Sequence, residues 1–210
     1  MDFFAKFPSM SRGELRDFKK SVDGSFSEFT GEYGEAIEAF FDPLLWFLVW
    51  FEQLLLATPW PIILLIVGAL AWAGSRSIKI ATGAILAFIA IGYFGMWKDT
   101  MSTLAIVSVA TLICISIGIP LGILMARSKY AQALVTPLLD IMQTIPAFVY
   151  LIPVVMLLGI GKVPGLIAVC IYALPPIVRL TNLGIRLVSK EALEAADAFG
   201  ASYRQRLFGV

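Results

Sequence analysis

Residues 100–126, TMSTLAIVSVATLICISIGIPLGILMA, contain no charged residue and stop at Arg127. A helix that crosses a hydrocarbon layer about 30 Å thick needs about 20 mainly apolar residues, and this stretch is longer than that. Gly118 and Gly122 lie four residues apart within it, on either side of Pro120. This spacing leaves open a close contact with a second helix and, equally, a flexible hinge or a chance occurrence, since glycine is common in such helices. The stretch therefore predicts a membrane-spanning helix.

Further uncharged apolar stretches flank this one, and each is followed by a lysine or arginine. The last of them is short for a span unless the side chain of Arg179 reaches the interface and extends it. Together they predict an all-α, polytopic membrane helix bundle with about five spans in a transmembrane domain over 54–188. The four additional stretches are 54–73, 80–97, 141–161 and 163–178.

The composition of the chain supports a membrane protein and argues against other classes. Hydrophobic residues make up 59% of the chain and charged residues 15%, whereas soluble domains have about 45–50% and about 25%. The net charge of +1 gives no basic field for nucleic acid. Histidine is absent, and Cys114 and Cys170 each lie in an apolar run. We therefore predict no metal site, no cofactor in this chain and no nucleic-acid partner.

The segment before the first span, PLLWFLVWFEQLLL at 43–56, is apolar but contains Glu52 and Gln53. Trp46 and Trp50 lie four residues apart on one helical face, a pattern typical of the membrane–water interface. We predict an amphipathic interfacial helix at 43–53. The alternative is a continuation of the first span.

The distribution of Lys and Arg in the loops predicts the orientation. The five predicted spans are followed by two, one, two, one and five of these residues. The alternation places the segments after the first, third and fifth spans in the cytoplasm, the last of them including 189–210. The N-terminal tail, 1–42, then lies outside the cytoplasm and is acidic, with nine acids and five bases.

From residue 186 the chain reads RLVSKEALEAADAFGASYRQRLFGV, which is too charged to cross a membrane. Ser189 can cap a helix, and acids such as Glu191 are favoured in its first turn. Gly200 can end this helix and Ser202 can begin a second one. We predict a cytoplasmic helix–glycine–helix hairpin whose small alanine side chains allow a partner to approach. An ordinary solvated loop is the alternative.

Within this hairpin, Glu194, Ala195, Ala196 and Gly200 resemble the EAA loop of ABC importer permeases. The wider sequence is similar to permeases for glycine betaine, proline betaine and choline. That resemblance implies that the C-terminal end of the chain is incomplete, because the Leu-Pro that closes the family motif is missing. The stretches that carry the resemblance to these permeases are IPLGILMARS (119–128), PLLDIMQTIPAFVYLIP (137–153), LPPIVRL (174–180) and AFGASYRQRLF (198–208).

The resemblance implies the permease subunit of a type I ABC importer in the bacterial inner membrane. Two permease copies would form the path, an ABC ATPase subunit would drive it, and a periplasmic or lipoprotein substrate-binding protein would deliver the solute. The loop at 189–210 would dock on the ATPase. Because the chain has no G-x-x-x-x-G-K-[ST] motif, ATP would be bound by the partner and this chain is not expected to be an enzyme.

Candidate residues for the translocation path lie at the predicted fourth span. Asp140 could attract a quaternary ammonium group, and Phe148 and Tyr150 could offer it aromatic faces. Trp60 and Trp72 are further aromatic candidates, although interfacial anchoring and packing are the default interpretation for all four rings. The alternatives for function are a permease for another small solute, such as an amino acid, and a channel or carrier that works without ATP.

Overall fold

The computed structural model describes residues 10–209, and for Tyr203, Arg204 and Phe208 only the backbone. Residues 1–9 of the predicted acidic tail and Val210 at the end of the predicted coupling loop lie outside the described residues. Over 10–209 every regular element is a helix, which confirms the predicted all-α fold. The helices are α1 (Arg12–Ala57), α2 (Trp60–Ser75), α3 (Ile78–Tyr93), α4 (Trp97–Arg127), α5 (Lys129–Thr144), α6 (Ala147–Leu158), α7 (Lys162–Arg186), α8 (Lys190–Ala198) and α9 (Tyr203–Gly209).

Within the described residues, α1, α4 and α7 are long and apolar enough to cross a membrane. The pair α5 and α6 passes the same test if it is taken as one broken span. The apolar helices α2 and α3 are shorter. The sequence predicted five similar spans, whereas the described residues contain three long apolar helices, one bent pair and two shorter apolar helices.

The centre of the bundle is a parallel pair formed by α4 and α7. The thiol of Cys114 lies 3.6 Å from the carbonyl oxygen of Cys170, and about two turns further along, Gly122 faces Thr181. Because residue numbers rise together along both helices, their last residues, Arg127 and Arg186, lie at the same end of the bundle. The segments that follow these two residues were predicted on one side of the membrane, and the parallel packing is consistent with that.

The structure shows a close helix contact at Gly118 and Gly122, one of the possibilities that their spacing left open. A β-carbon on Gly118 would come within 2.7 Å of Ile177, and one on Gly122 within 2.6 Å of Thr181. Such distances leave no room for any side chain. The two glycines therefore allow the backbones of α4 and α7 to approach more closely than larger residues would permit.

The predicted span at 141–161 is not one continuous helix. It is broken between α5 and α6, whose axes meet at 90°. Ile145 is extended, with φ −81° and ψ 127°, because it precedes Pro146 and the proline ring disfavours the helical conformation there. Because α4 and α7 are parallel, the chain must travel from the end of α4 to the opposite end of the bundle before α7 begins. The bent pair of α5 and α6 makes this connection.

The first helix begins with a capping box. The Ser11 hydroxyl accepts from the Glu14 N–H, and the Glu14 carboxylate accepts from the Ser11 N–H at 2.8 Å. This backbone hydrogen bond lowers the pKa of the Glu14 carboxyl, because it stabilises the ionised form. Helix α1 then continues without interruption to Ala57.

The segment 43–53, which the sequence predicted as a separate interfacial helix, is not separate from the residues before it. This segment is the C-terminal part of α1, which passes through Pro43. Leu48 is fully buried against α4 and α7, together with Val109, and this packing offsets the backbone hydrogen bond that proline removes. The helix boundary predicted at residue 43 is therefore absent, and the interfacial position of this segment stays a prediction.

The first predicted span, 54–73, also has a different boundary. Thr58 is extended because it precedes Pro59, so α1 ends there and α2 begins at Trp60. The apolar run is therefore divided between two helices. Proline near the start of α2 is well tolerated, since the first N–H groups of a helix have no intrahelical partner.

Helix α1 runs antiparallel to α4. Glu52 lies beside Ser102 near the start of α4, and Leu48 lies in one buried cluster with Val109 and Ala110 further along α4. A helix that crosses the whole bilayer in this direction begins on the side where α4 ends, which is opposite to the side predicted for 1–42. The extracytoplasmic side of 1–42 stays a prediction.

Candidate coupling loop and translocation path

The segment after α7 forms the predicted helix–glycine–helix hairpin. Ser189 caps α8, with its hydroxyl accepting from the Ala192 N–H at 3.2 Å, and Glu191 lies in the first turn. The carboxylate is favourable there because the N-terminal end of a helix carries partial positive charge. Sequence alone therefore located the start of α8 correctly.

Gly200 makes the turn that ends α8. Its φ is +71°, a left-handed value that residues with a β-carbon adopt only with strain, and its N–H donates to the Asp197 carbonyl at 2.9 Å. The Arg206 guanidinium in α9 then pairs with the Asp197 carboxylate at 2.7 Å. These contacts hold α8 and α9 together as one hairpin.

The surface of α8 is open. Glu194 and Ala195 are exposed, Ala196 is half-buried, and the side chain of Phe199 is 92% exposed. Among the described residues, no other helix packs extensively against α8. Over the described residues of α8 and the turn after it, the hairpin thus presents a small-residue surface and the large side chain of Phe199 to its surroundings.

Asp140, a predicted path residue, lies in an ion pair. Its carboxylate accepts from the Arg179 guanidinium, which links α5 to α7. Both side chains are substantially exposed, so water or a polar surface can screen the pair. The pair neutralises the fixed charge that sequence reasoning had assigned to Asp140 alone.

The two predicted aromatic residues have different surroundings. Phe148 in α6 is 78% exposed. The Tyr150 hydroxyl instead donates to the Ile141 carbonyl at 2.7 Å, across the bend between α5 and α6. Tyr150 therefore helps to fix this bend, while Phe148 is available to a partner, to lipid or to solute.

The other two aromatic candidates lie apart from these. Trp60 joins Phe88, Tyr93 and Trp97 around a cavity of about 380 Å³ between α2, α3 and the start of α4, whereas Trp72 contacts the Arg76 guanidinium. The structure thus distributes the aromatic candidates over three places. Their grouping depends on contacts between helices, which no spacing in the sequence reveals.

Sequence reasoning missed a buried ionic cluster. The Glu52 carboxylate is almost fully buried, pairs with the Lys162 ammonium and accepts from the Ser102 hydroxyl. These residues come from α1, α7 and α4 respectively. An isolated carboxylate within an apolar segment was the available signal, because such a charge needs a partner.

Comparison with known proteins identifies the family. The profile of the family described as "Binding-protein-dependent transport system inner membrane component" matches residues 118–210. The glycine betaine/carnitine transport permease protein GbuB of Listeria monocytogenes is 40% identical over 199 residues, which cover 94% of this chain and 67% of GbuB. The chain belongs to this permease family.

Two further relatives of the permease show the same relationship. The glycine betaine/proline betaine transport system permease protein ProW of Escherichia coli is 50% identical over 80% of this chain and 47% of its own length. The glycine betaine transport system permease protein OpuAB of Bacillus subtilis is 44% identical over 70% of the chain and 51% of its own length. The permease thus spans about half the length of these two relatives.

Family membership confirms the predicted inner-membrane location of the permease. The matched profile, 118–210, includes the C-terminal third of α4, all of α7 and the hairpin of α8 and α9. The part shared with the family therefore includes the close contact at Gly118 and Gly122 and the loop that follows α7. The long N-terminal helix α1 precedes that part.

Proposed function

We propose that this chain forms part of the membrane path of an ATP-driven importer for quaternary-amine compatible solutes, such as glycine betaine, proline betaine or choline. The observation that carries the proposal is the 40% identity to a glycine betaine/carnitine permease along 94% of the chain. The choline transport system permease protein OpuBB of Bacillus subtilis, 34% identical over 48% of the chain, supports the same solute class.

The charges of the helices favour a zwitterion or cation over an anion. Lys162 is paired with Glu52, and Arg179 is paired with Asp140. An anion path would favour Lys or Arg side chains that carry uncompensated positive charge into the bundle. Paired charges and exposed aromatic rings such as Phe148 suit a trimethylammonium group, which binds aromatic faces by cation–π attraction.

We further propose that the hairpin of α8 and α9 docks on a separate ATPase subunit. Its support is the open surface of α8, the exposed Phe199 and the resemblance to the EAA loop. Closure of two ATPases on ATP would move two such hairpins together and so change the angle between the helix bundles. A second permease copy and a substrate-binding protein complete the proposed importer.

The proposal is tested in a bacterial strain that has no betaine uptake of its own. The complete permease gene, expressed with its ATPase and binding protein, should restore growth at high salt in the presence of glycine betaine and uptake of the labelled solute. Deletion of the permease should abolish both. Betaine uptake that is unchanged by the deletion, with loss of amino-acid or anion uptake instead, would overturn the assignment.

A further inference from the structure

We propose that Arg186 is a positioning residue that connects the coupling hairpin to the helix bundle. This inference rests on the proposed function, because it assigns the residue through which α8 acts on α4 and α5. Arg186 is the last residue of α7 and lies three positions before Ser189, the cap of α8. Any displacement of α8 therefore reaches Arg186 through a very short connection.

The guanidinium of Arg186 contacts three helices. One terminal nitrogen, Nη2, donates to the Met125 carbonyl of α4 at 3.1 Å and to the Gln132 side-chain oxygen of α5 at 2.7 Å. Nε donates to the Asn182 side-chain oxygen within α7 at 2.9 Å. A single side chain thus joins the end of α4, the first turn of α5 and the last turn of α7.

The contact with Met125 caps α4. The last four carbonyl groups of an α-helix have no partner within the helix and need one elsewhere. The Leu124 carbonyl accepts from the Ser128 N–H, and the Met125 carbonyl accepts from the Arg186 guanidinium. A cation at this position also complements the partial negative charge of the helix C-terminus.

Only arginine has the shape for this arrangement. Its guanidinium is planar, is always charged and directs several donors in fixed directions, whereas lysine carries a compact ammonium on a flexible stem. A lysine at this position keeps the charge that orients the protein in the membrane. It cannot hold Met125, Gln132 and Asn182 in the same fixed geometry.

The position of Arg186 between α4, α5 and α7 predicts its role in transport. α4 and α7 are in close contact at Gly122, so they move as one body near this end. α5 meets this body at Gln132, at Leu139, which is buried with Met125 and Val178, and at Asp140, and it leads to the 90° bend at α6. Of these contacts, the one at Gln132 lies nearest to the hairpin. We infer that Arg186 passes movement of α8 to the broken helix α5–α6, and that without it the hairpin moves while the path does not follow.

The test uses the complete importer in proteoliposomes, with Arg186→Lys and Arg186→Gln beside the wild type. Both variants should assemble with the ATPase and keep basal ATP hydrolysis. Solute transported per ATP hydrolysed should fall by at least ~5-fold, the lower end of typical coupling between distant sites. Gln132→Leu, which removes one of the three contacts, should give an intermediate loss.

Arg76→Gln is the matched control, because it removes a basic residue predicted on the same side and lies in the turn between α2 and α3. This control should leave the amount of solute transported per ATP hydrolysed unchanged. An unchanged ratio in both Arg186 variants overturns the inference while the proposed function stands. A wild-type complex that does not transport betaine contradicts the proposed function itself.

Discussion

Gly122 of α4 lies so close to α7 that a β-carbon in its place would stand 2.8 Å from the carbonyl oxygen of Val178. The neighbour is a backbone atom, which cannot rotate away as a side chain can. The parallel α4–α7 pair therefore depends on the absence of a side chain at this position. Four predictions follow from this contact and from the rest of the structure.

Replacement of Gly122 by alanine should separate α4 from α7. We expect a loss of about 1–3 kcal/mol in stability, the usual range for overpacking, seen as a lower thermal unfolding temperature in detergent. Gly165→Ala is the control, since a β-carbon on Gly165 in α7 meets nothing within 4 Å. Equal unfolding temperatures for the two variants would contradict the close contact.

Replacement of Gly200 by proline should abolish uptake while membrane insertion continues. Proline removes the N–H that donates to Asp197 and fixes φ near −65°, whereas the turn needs +71°. Ala196→Asp should have a similar effect, because a charge is costly to desolvate under a docked partner. Insertion is checked by membrane fractionation and uptake by labelled betaine.

Gly184→Ala is the control for the hairpin. Gly184 lies in α7 near the hairpin, and a β-carbon there meets nothing within 4 Å. Its uptake should equal that of the wild type. Normal uptake in both Gly200→Pro and Ala196→Asp would remove the docking role from this hairpin.

Replacement of Lys162 by methionine should lower the stability of the protein more than loss of an exposed ion pair does. The substitution leaves the buried Glu52 carboxylate without its cation, which costs about 3–5 kcal/mol of stability. The double variant that also carries Glu52→Gln should recover most of that loss. Asp140→Asn, in the exposed pair with Arg179, should cost about 1 kcal/mol or less. Thermal unfolding in detergent measures all three, and failure of the double variant to recover would show that Glu52 and Lys162 are not coupled.

Single cysteines at Ser27 and Lys190, in a chain with Cys114 and Cys170 replaced by alanine, should react with an impermeant thiol reagent from opposite sides of the membrane. Both positions are exposed, and the distribution of Lys and Arg places them on opposite sides. Labelling from the same side would show instead that α1 crosses the whole bilayer, antiparallel to α4.

Several features could be predicted from local sequence because local chemistry decides them. The uncharged run ending at Arg127 predicts α4, and Ser189 with Gly200 predicts the hairpin, since hydropathy, capping and a left-handed turn depend on a few adjacent residues. The spacing of Gly118 and Gly122 left a close contact and a hinge equally open, and packing against α7 decided between them. The helix boundary predicted at residue 43 is absent because α1 continues through Pro43, with Leu48 buried beyond it.

The sequence by itself determined that the chain is a membrane helix bundle followed by a polar helical hairpin. Only the tertiary structure decided that α4 and α7 run parallel, that Glu52 meets Lys162 and that Arg186 joins three helices. The partners in these contacts are separated by 56, 110 and 61 positions along the chain. Whether such distant residues meet depends on how all the helices pack at once, and no local pattern of hydropathy or spacing contains that information.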